Sequence, residues 1–289
     1  MADIALSFDR YGDIEPASPV VLSVPHAGRD YPLALRAALR VPVTALLPLE
    51  DRHVDTLALA ARGRETMFVQ RVARAWIDLN RGEQERDPGI DDGANRQAMP
   101  MMSAKLRGGL GLVPRRVSGV GEIWRRRFEG EEVMARIAQD HRPYHAALAE
   151  ALKRARARFG VAVLLDLHSM PSIAPGEGAA GIVLGDRFGR SAAGRFVHRL
   201  ESESIAAGIA CALNAPYAGG HILDVQARPA AGVHAIQIEV DRALYLDAAR
   251  DGPGDGLVAT ARLLRRMIDA VADEALTTPG AVPAAIAAE

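Results

Sequence analysis

Val161-Ala162-Val163-Leu164-Leu165-Asp166-Leu167-His168-Ser169-Met170 is the stretch whose reading decides the fold. Val161 to Leu165 is an unbroken apolar run, the mark of a strand buried on both faces. The next five residues turn polar, so His168 is expected at or just beyond the C-terminal end of that strand. Open α/β sheets build their sites at that edge. Pro19 to Val24 forms a second short apolar strand, broken at Pro25-His26-Ala27-Gly28. Two strand-end histidines can point into one crevice, which is what a metal hydrolase needs.

Further strands are expected at Met67–Val72, Ala75–Leu79, Gly181–Leu184 and Ala235–Val240. Helix-like stretches fall between them, at Val54–Ala61, Glu131–Arg158, Ser191–Gly208 and Val258–Ala275. This alternation argues for a parallel or mixed sheet covered on both faces, in one α/β domain over residues 1–289. Residues 82–121 differ: Gly-rich, without a period and holding Met99, Met101 and Met102, they read as a long surface excursion. Residues 277–289 read as a loosely ordered tail.

The chain of 289 residues is 49% hydrophobic, and its 35 basic and 36 acidic residues leave a net charge of −1. That balance gives no electrostatic case for nucleic acid or an anionic membrane. Arg125-Arg126-Arg127, the densest basic block, reads as a solvated helix face. The one cysteine, Cys211, excludes an internal disulfide; it fits a reducing cytosol and reads as a buried structural thiol. No basic stretch precedes an apolar core near Met1, so no signal peptide is expected, and no apolar run reaches the ~20 residues of a membrane span. The expected address is the cytoplasm. No oligomeric state is read from the sequence.

A catalytic zinc takes three protein ligands from His and carboxylate, leaving one position for water. His26 and His168 would supply two. The third lies within Glu50-Asp51-Arg52-His53-Val54-Asp55, where Asp51 is either a ligand or the N-terminal cap of the helix opening at Val54. His53 reads as a supporting or surface residue. Asp166, two before His168, shares its side of the strand and is either an acceptor that orients a ligand or a buried acid paired with an arginine. Asn80-Arg81, placed at the end of the strand Ala75–Leu79, can present a planar fork to a carboxylate or form a surface salt bridge. Glu239 lies inside the apolar strand Ala235–Val240. It is either a general base, its pKa raised by burial, or half of a structural pair with Arg242.

The ordered set of segments resembles the N-formylglutamate amidohydrolase family. It comprises Ser23-Val-Pro-His-Ala-Gly28 with Tyr31-Pro32, Asp51-Arg-His-Val-Asp55, Asp78-Leu-Asn-Arg81, Pro143-Tyr-His145, Asp166-Leu-His-Ser-Met170, Gly185-Asp186, Asn214-Ala-Pro-Tyr-Ala-Gly-Gly-His221 and Gln237-Ile-Glu-Val240. That family in turn resembles the zinc carboxypeptidases, which share an Asp-Leu-Asn-Arg segment. The resemblance implies a three-layer α/β/α fold with a central mixed, mostly parallel sheet, zinc-carboxypeptidase-like. It implies one zinc ion on His26, Asp51 and His168, with Mn, Fe or Co also suited to such ligands. Glu239 becomes the base, and Asn80 and Arg81 clamp the substrate carboxylate. His221 either faces the substrate or is a loop residue. Carboxypeptidases place the acidic ligand three residues after the first His, where this chain has Arg29, so Glu50 and Asp55 rival Asp51. The implied substrate is a small N-acyl amino acid, N-formyl-L-glutamate first, with Arg52, Arg125 and Arg126 as candidate partners of its side chain. The alternatives are a deacylase or carboxypeptidase for other N-acyl amino acids or peptides, and a non-catalytic ligand-binding relative.

Overall fold

The computed structural model describes residues 6–95, 103–173 and 180–277. In chain order its elements are β1 (Phe8–Tyr11), β2 (Val20–Val24), α1 (Leu33–Ala38), α2 (Val54–Ala61), β3 (Thr66–Gln70), α3 (Ala104–Arg107), β4 (Arg116–Val117), β5 (Gly121–Glu122), α4 (Gly130–Arg136), α5 (Arg142–Phe159), β6 (Ala162–Met170), β7 (Ile182–Gly185), α6 (Gly194–Ala206), β8 (Cys211–Leu213), α7 (His221–Gln226), β9 (Val233–Asp241) and α8 (Leu257–Thr277). The chain divides into two compact units. One takes the described residues up to Asp9, Pro25–Asp51 and Val69–Ala146; the other takes Arg10–Val24, Arg52–Phe68 and the described residues from Ala147 onward.

The second unit carries the main sheet, ordered β1-β3-β2-β6-β9-β7-β8, with β1 and β3 holding residues of both units. β6 runs parallel to β2 and to β9, β7 runs antiparallel to β9, and β8 runs parallel to β7. The sheet is therefore mixed and mostly parallel, the α/β class expected. Every residue of β6 is buried, so helices and loops cover both of its faces. Among the covering helices, α2 and α6 each pack on α8, and α2 and α8 lie against β2 and β6.

β6 runs further than its apolar run. It continues through Asp166 and His168 to Met170, because β9 pairs with it residue for residue up to Asp241. His168 thus sits within the strand, two residues before its end.

The first unit is built from short elements: α1, a 3-10 turn at Val43–Leu49, α3, the β4–β5 hairpin, α4 and a π-helical turn at Ile137–His141 that leads into α5. Ala75–Leu79 forms no strand. Ala75, Ile77 and Leu79 are buried, yet the backbone turns there, with Trp76 N–H donating to the Ala73 carbonyl and Arg81 N–H to the Asp78 carbonyl. An apolar run reports burial, and here it reports a buried turn. Within the stretch read as an excursion, Ile90, Leu106, Leu112, Val113 and Val117 are buried. Met99, Met101, Met102 and the tail beyond Thr277 lie outside the described residues. Arg125–Arg127 stands before α4 on irregular backbone, exposed, with Arg126 on Glu132 and Arg127 on Asp92. Among the described residues no helix is long and apolar enough to cross a membrane.

Candidate active site

In the second unit the site is written in strand register. Side chains of paired residues in a parallel ladder share a face, and so do residues two apart on one strand. His168 pairs with Glu239, Asp166 with Gln237, and Ser23 with Asp166. These five side chains therefore form a polar file on one face of the sheet, each of them buried. Their polar atoms satisfy one another. Ser23 Oγ donates to Asp166 Oδ1 at 2.7 Å, and Asp166 Oδ2 lies 2.8 Å from His168 Nε2. Gln237 Nε2 donates to Glu239 Oε1 at 2.7 Å. A carboxylate only accepts, so the His168 hydrogen sits on Nε2 and the lone pair is presented at Nδ1, the arrangement that orients a metal-binding imidazole. Asp166 is thus an orienting acceptor for His168. Arg242 donates through Nε to Ser169.

In the first unit the site is built on turns. His26 follows β2 in a loop that passes against the 71–73 backbone. Gly28 is required there, because a Cβ would collide with the Val72 carbonyl. The His26 carbonyl accepts from Asp51 N–H at 3.0 Å, which brings the two segments together. His26 Nε2 lies 2.7 Å from Asp78 Oδ1, repeating the carboxylate–imidazole pairing. His26 Nδ1 is 3.6 Å from Asp51 Oδ2. Two donors about 2.1 Å from one tetrahedral ion lie roughly 3.4 Å apart. The spacing therefore fits a shared ion, and the chemistry of one imidazole and one carboxylate suits zinc.

Asp78 is the hub of this unit. Burial alone would raise its pKa, but Arg74, His26 and Arg81 hold the carboxyl well below the usual range. Its Oδ1 also accepts from Asn80 N–H, and Arg74 reaches Oδ2 at 2.8 Å. Arg81 is buried, its Nε donating to the Leu110 carbonyl and its Nη1 to the Asn80 carbonyl. The guanidinium is therefore fixed in direction before any ligand arrives.

The rivals of Asp51 are occupied differently. Glu50 accepts from the Tyr31 hydroxyl, and Asp55 is half-buried in the first turn of α2. Asp51 is not the cap of that helix: the N-cap is His53, at φ 55°, with its Nε2 2.9 Å from the Asp251 carbonyl. Arg52 pairs with Asp251 at 2.6 Å. His221 opens α7 after Gly219 and Gly220. The loop before it is tied by Asn214, which accepts from Asp186 and Phe188 N–H groups and donates to Asp186. Gly185 is needed because a Cβ would sit 2.7 Å from the Ala218 backbone. Cys211 is half-buried, and burial pushes its thiol up to about 12, which suits a structural role.

Sequence reasoning gave no separate role to Asp78, the Tyr31–Glu50 pair or His141. Asp78 carried a signal: an acid inside a buried apolar run, four residues after Arg74 and just before Asn-Arg. His26 and Asp51 in the first unit and His168 in the second are each buried groups of metal-ligating type.

A family model described as N-formylglutamate amidohydrolase matches residues 18–246. The chain is 31% identical over 253 residues to the N-formylglutamate deformylase of Pseudomonas aeruginosa, covering 85% of this chain and 86% of that protein. It is 32% identical over 234 residues to the N-formylglutamate deformylase of Pseudomonas putida, covering 79% and 82%. The crystal structure of an N-formylglutamate amidohydrolase from Ralstonia eutropha JMP134 superposes with a TM-score of 0.84 at 31% identity, covering 94% of this chain and 99% of that one.

Proposed function

This chain belongs to the N-formylglutamate amidohydrolase family, and from that premise we propose that it hydrolyses N-formyl-L-glutamate to formate and L-glutamate. One observation carries the chemistry: His168 and Glu239 are register partners on one sheet face, the imidazole pinned by Asp166 and the acid by Gln237. A ligand-type imidazole beside a buried carboxylate is the pairing a hydrolytic site requires.

The ligand set we propose is His26, Asp51 and His168. These three side chains would hold a divalent ion, zinc by ligand type, and bound there it would lower the pKa of a water from ~15.7 toward ~7. Glu239 takes a proton from the water as its oxygen attacks the formyl carbon. Gln237 keeps the carboxylate aimed while it does so. Glu239 then passes the proton to the leaving nitrogen, the C–N bond breaks, and formate and the free amino acid separate. Arg81, with Asn80, holds the α-carboxylate in a fork that is already set, so little ordering is needed on binding. His221 faces the substrate from the start of α7. We place the enzyme in the cytoplasm, in keeping with its single, half-buried cysteine.

The decisive assay is formate release from N-formyl-L-glutamate, run on protein as purified, after chelation, and after zinc is restored. Activity that chelation removes and zinc returns is the expected result. Full activity in the metal-stripped protein would overturn the ligand assignment. A faster reaction with N-acetyl or N-succinyl amino acids would overturn the substrate.

A further inference from the structure

The turn Asp78–Gly82 is irregular backbone, and irregular buried backbone must find its hydrogen-bond partners one by one. Here all but one of the partners are side chains. In the Leu79–Asn80 peptide, the N–H donates to Asp78 Oδ1, and the carbonyl lies 2.9 Å from His145 Nε2. In the Asn80–Arg81 peptide, the N–H donates to the Asp78 carbonyl, and the carbonyl accepts from Arg81 Nη1. In the Arg81–Gly82 peptide, the N–H donates to Glu85 Oε2, and the carbonyl lies 2.8 Å from His141 Nε2. A carbonyl only accepts, so both imidazoles carry hydrogen on Nε2 and donate it.

The two histidines are one device. They stand four residues apart where the π-helical turn Ile137–His141 passes into α5, with ring centroids 4.3 Å apart at 37°. Single π-turns within helices recur at functional sites because they shift side chains off the regular repeat. His141 is buried, and burial lowers its pKa, which keeps a second positive charge away from the Arg81 guanidinium.

We propose that His141 and His145 are positioning residues for the carboxylate clamp, gripping the peptides on either side of Asn80–Arg81. The inference rests on the reading that Asn80 and Arg81 hold the substrate's α-carboxylate. In this role the two imidazoles act on the backbone of the turn. Each holds a carbonyl whose rotation would swing Asn80 and Arg81 away from their aim.

The test uses two substrates, N-formyl-L-glutamate and N-formyl-4-aminobutyrate, which is the same molecule without its α-carboxylate. His145→Ala and His141→Ala should raise KM for N-formyl-L-glutamate roughly three- to tenfold, the scale of one lost hydrogen bond. The value of kcat should stay within about twofold, and KM for the aminobutyrate compound should not move. His145→Gln and His141→Gln retain an N–H donor at a similar reach and should recover most of the loss, which also guards against an alanine variant that folds poorly. Equal loss in the Ala and Gln variants, or equal loss on both substrates, would overturn the proposal. Arg81→Ala is the control. If it abolishes the preference for the α-carboxylate while the histidine variants keep it, only the positioning role fails. If Arg81→Ala leaves the preference intact, the clamp itself is wrong and the positioning role falls with it.

Discussion

The polar file on the sheet and the polar knot on the turns use one chemical device and hold it in different ways. Each sets an imidazole against a buried carboxylate, His168 on Asp166 at 2.8 Å and His26 on Asp78 at 2.7 Å. On the sheet, backbone ladders fix where every side chain points, and the side chains add only local satisfaction: Ser23 to Asp166, Gln237 to Glu239. On the turns no ladder exists around Asp78, and charge does the holding. Arg74 and Arg81 surround one carboxylate that also accepts from a backbone N–H and faces His26. A rigid frame tolerates neutral partners. A frame made of side chains needs ions, and it is correspondingly sensitive to losing one.

The largest effect expected on the sheet is chemical. Glu239→Gln keeps the oxygen that accepts from Gln237 and removes the proposed proton acceptor. We expect kcat to fall by about 10²- to 10⁴-fold, the usual worth of a general base. Bound metal and the thermal midpoint should stay near the parent values. Turnover at the parent rate, measured as formate release, would move the base elsewhere.

The next effect sets the two carboxylates against each other. Asp78→Asn removes the negative member of a buried ionic cluster and leaves Arg74, itself only 19% exposed, facing a neutral amide. Breaking such a pair from one side costs about 3 kcal/mol or more. Asp166→Asn leaves no unpaired charge among the partners named above. Its amide can accept one of the two hydrogen bonds, so about 1 kcal/mol is expected. Both variants should weaken metal binding about 10- to 100-fold through the loosened imidazole. Denaturant midpoints and metal titrations of the two proteins, side by side, decide it. Equal losses of stability would erase the distinction between ladder-held and charge-held groups.

That distinction also explains what was legible in the sequence. His168 and Glu239 could be found because strand period and burial are written in neighbouring residues: an apolar run, then one polar residue that cannot be there for solvation. Their pairing with each other needed the β6–β9 register, which no local pattern carries. His26 was found for the same reason as His168, as a polar residue after an apolar strand. Asp78, Asn80 and Arg81 were found as a motif but placed on or at the end of a strand, because apolar residues at 75, 77 and 79 mimic strand period in a turn. The partners of that turn, His141 and His145, lie some 60 residues away on a helix; nothing in a helical pattern marks an imidazole that donates to a distant carbonyl. His53 was read as a supporting or surface residue, but its place as the N-cap of α2 was not legible for a related reason: its left-handed backbone and its contact to Asp251 involve a loop 198 residues later.

The smallest effect lies on the sheet, on the face turned away from Glu239. β9 carries His234 five residues before Glu239, so strand alternation sends the two to opposite faces. His234 packs on Phe196, with ring centroids 4.8 Å apart, and its Nδ1 accepts from Ala193 N–H, the N-cap of α6. That hydrogen bond requires a neutral imidazole, and a charge there would oppose the positive end of the α6 dipole. Burial, helped by Arg195, lowers the pKa from 6.5 to about 4. In the unfolded chain the same group titrates near 6.5, so unfolding takes up a proton between the two values. Its contribution to stability is complete above pH 6.5 and is lost as pH falls toward 4. Between pH 6.5 and 5.5 the loss is about 1 kcal/mol. His234→Gln keeps an acceptor for Ala193 but cannot titrate. Urea midpoints of the two proteins should therefore converge as pH drops across that interval. Parallel pH profiles would mean that β9 carries no titrating group on its helix face, and that acid sensitivity belongs to the charge-held turns alone.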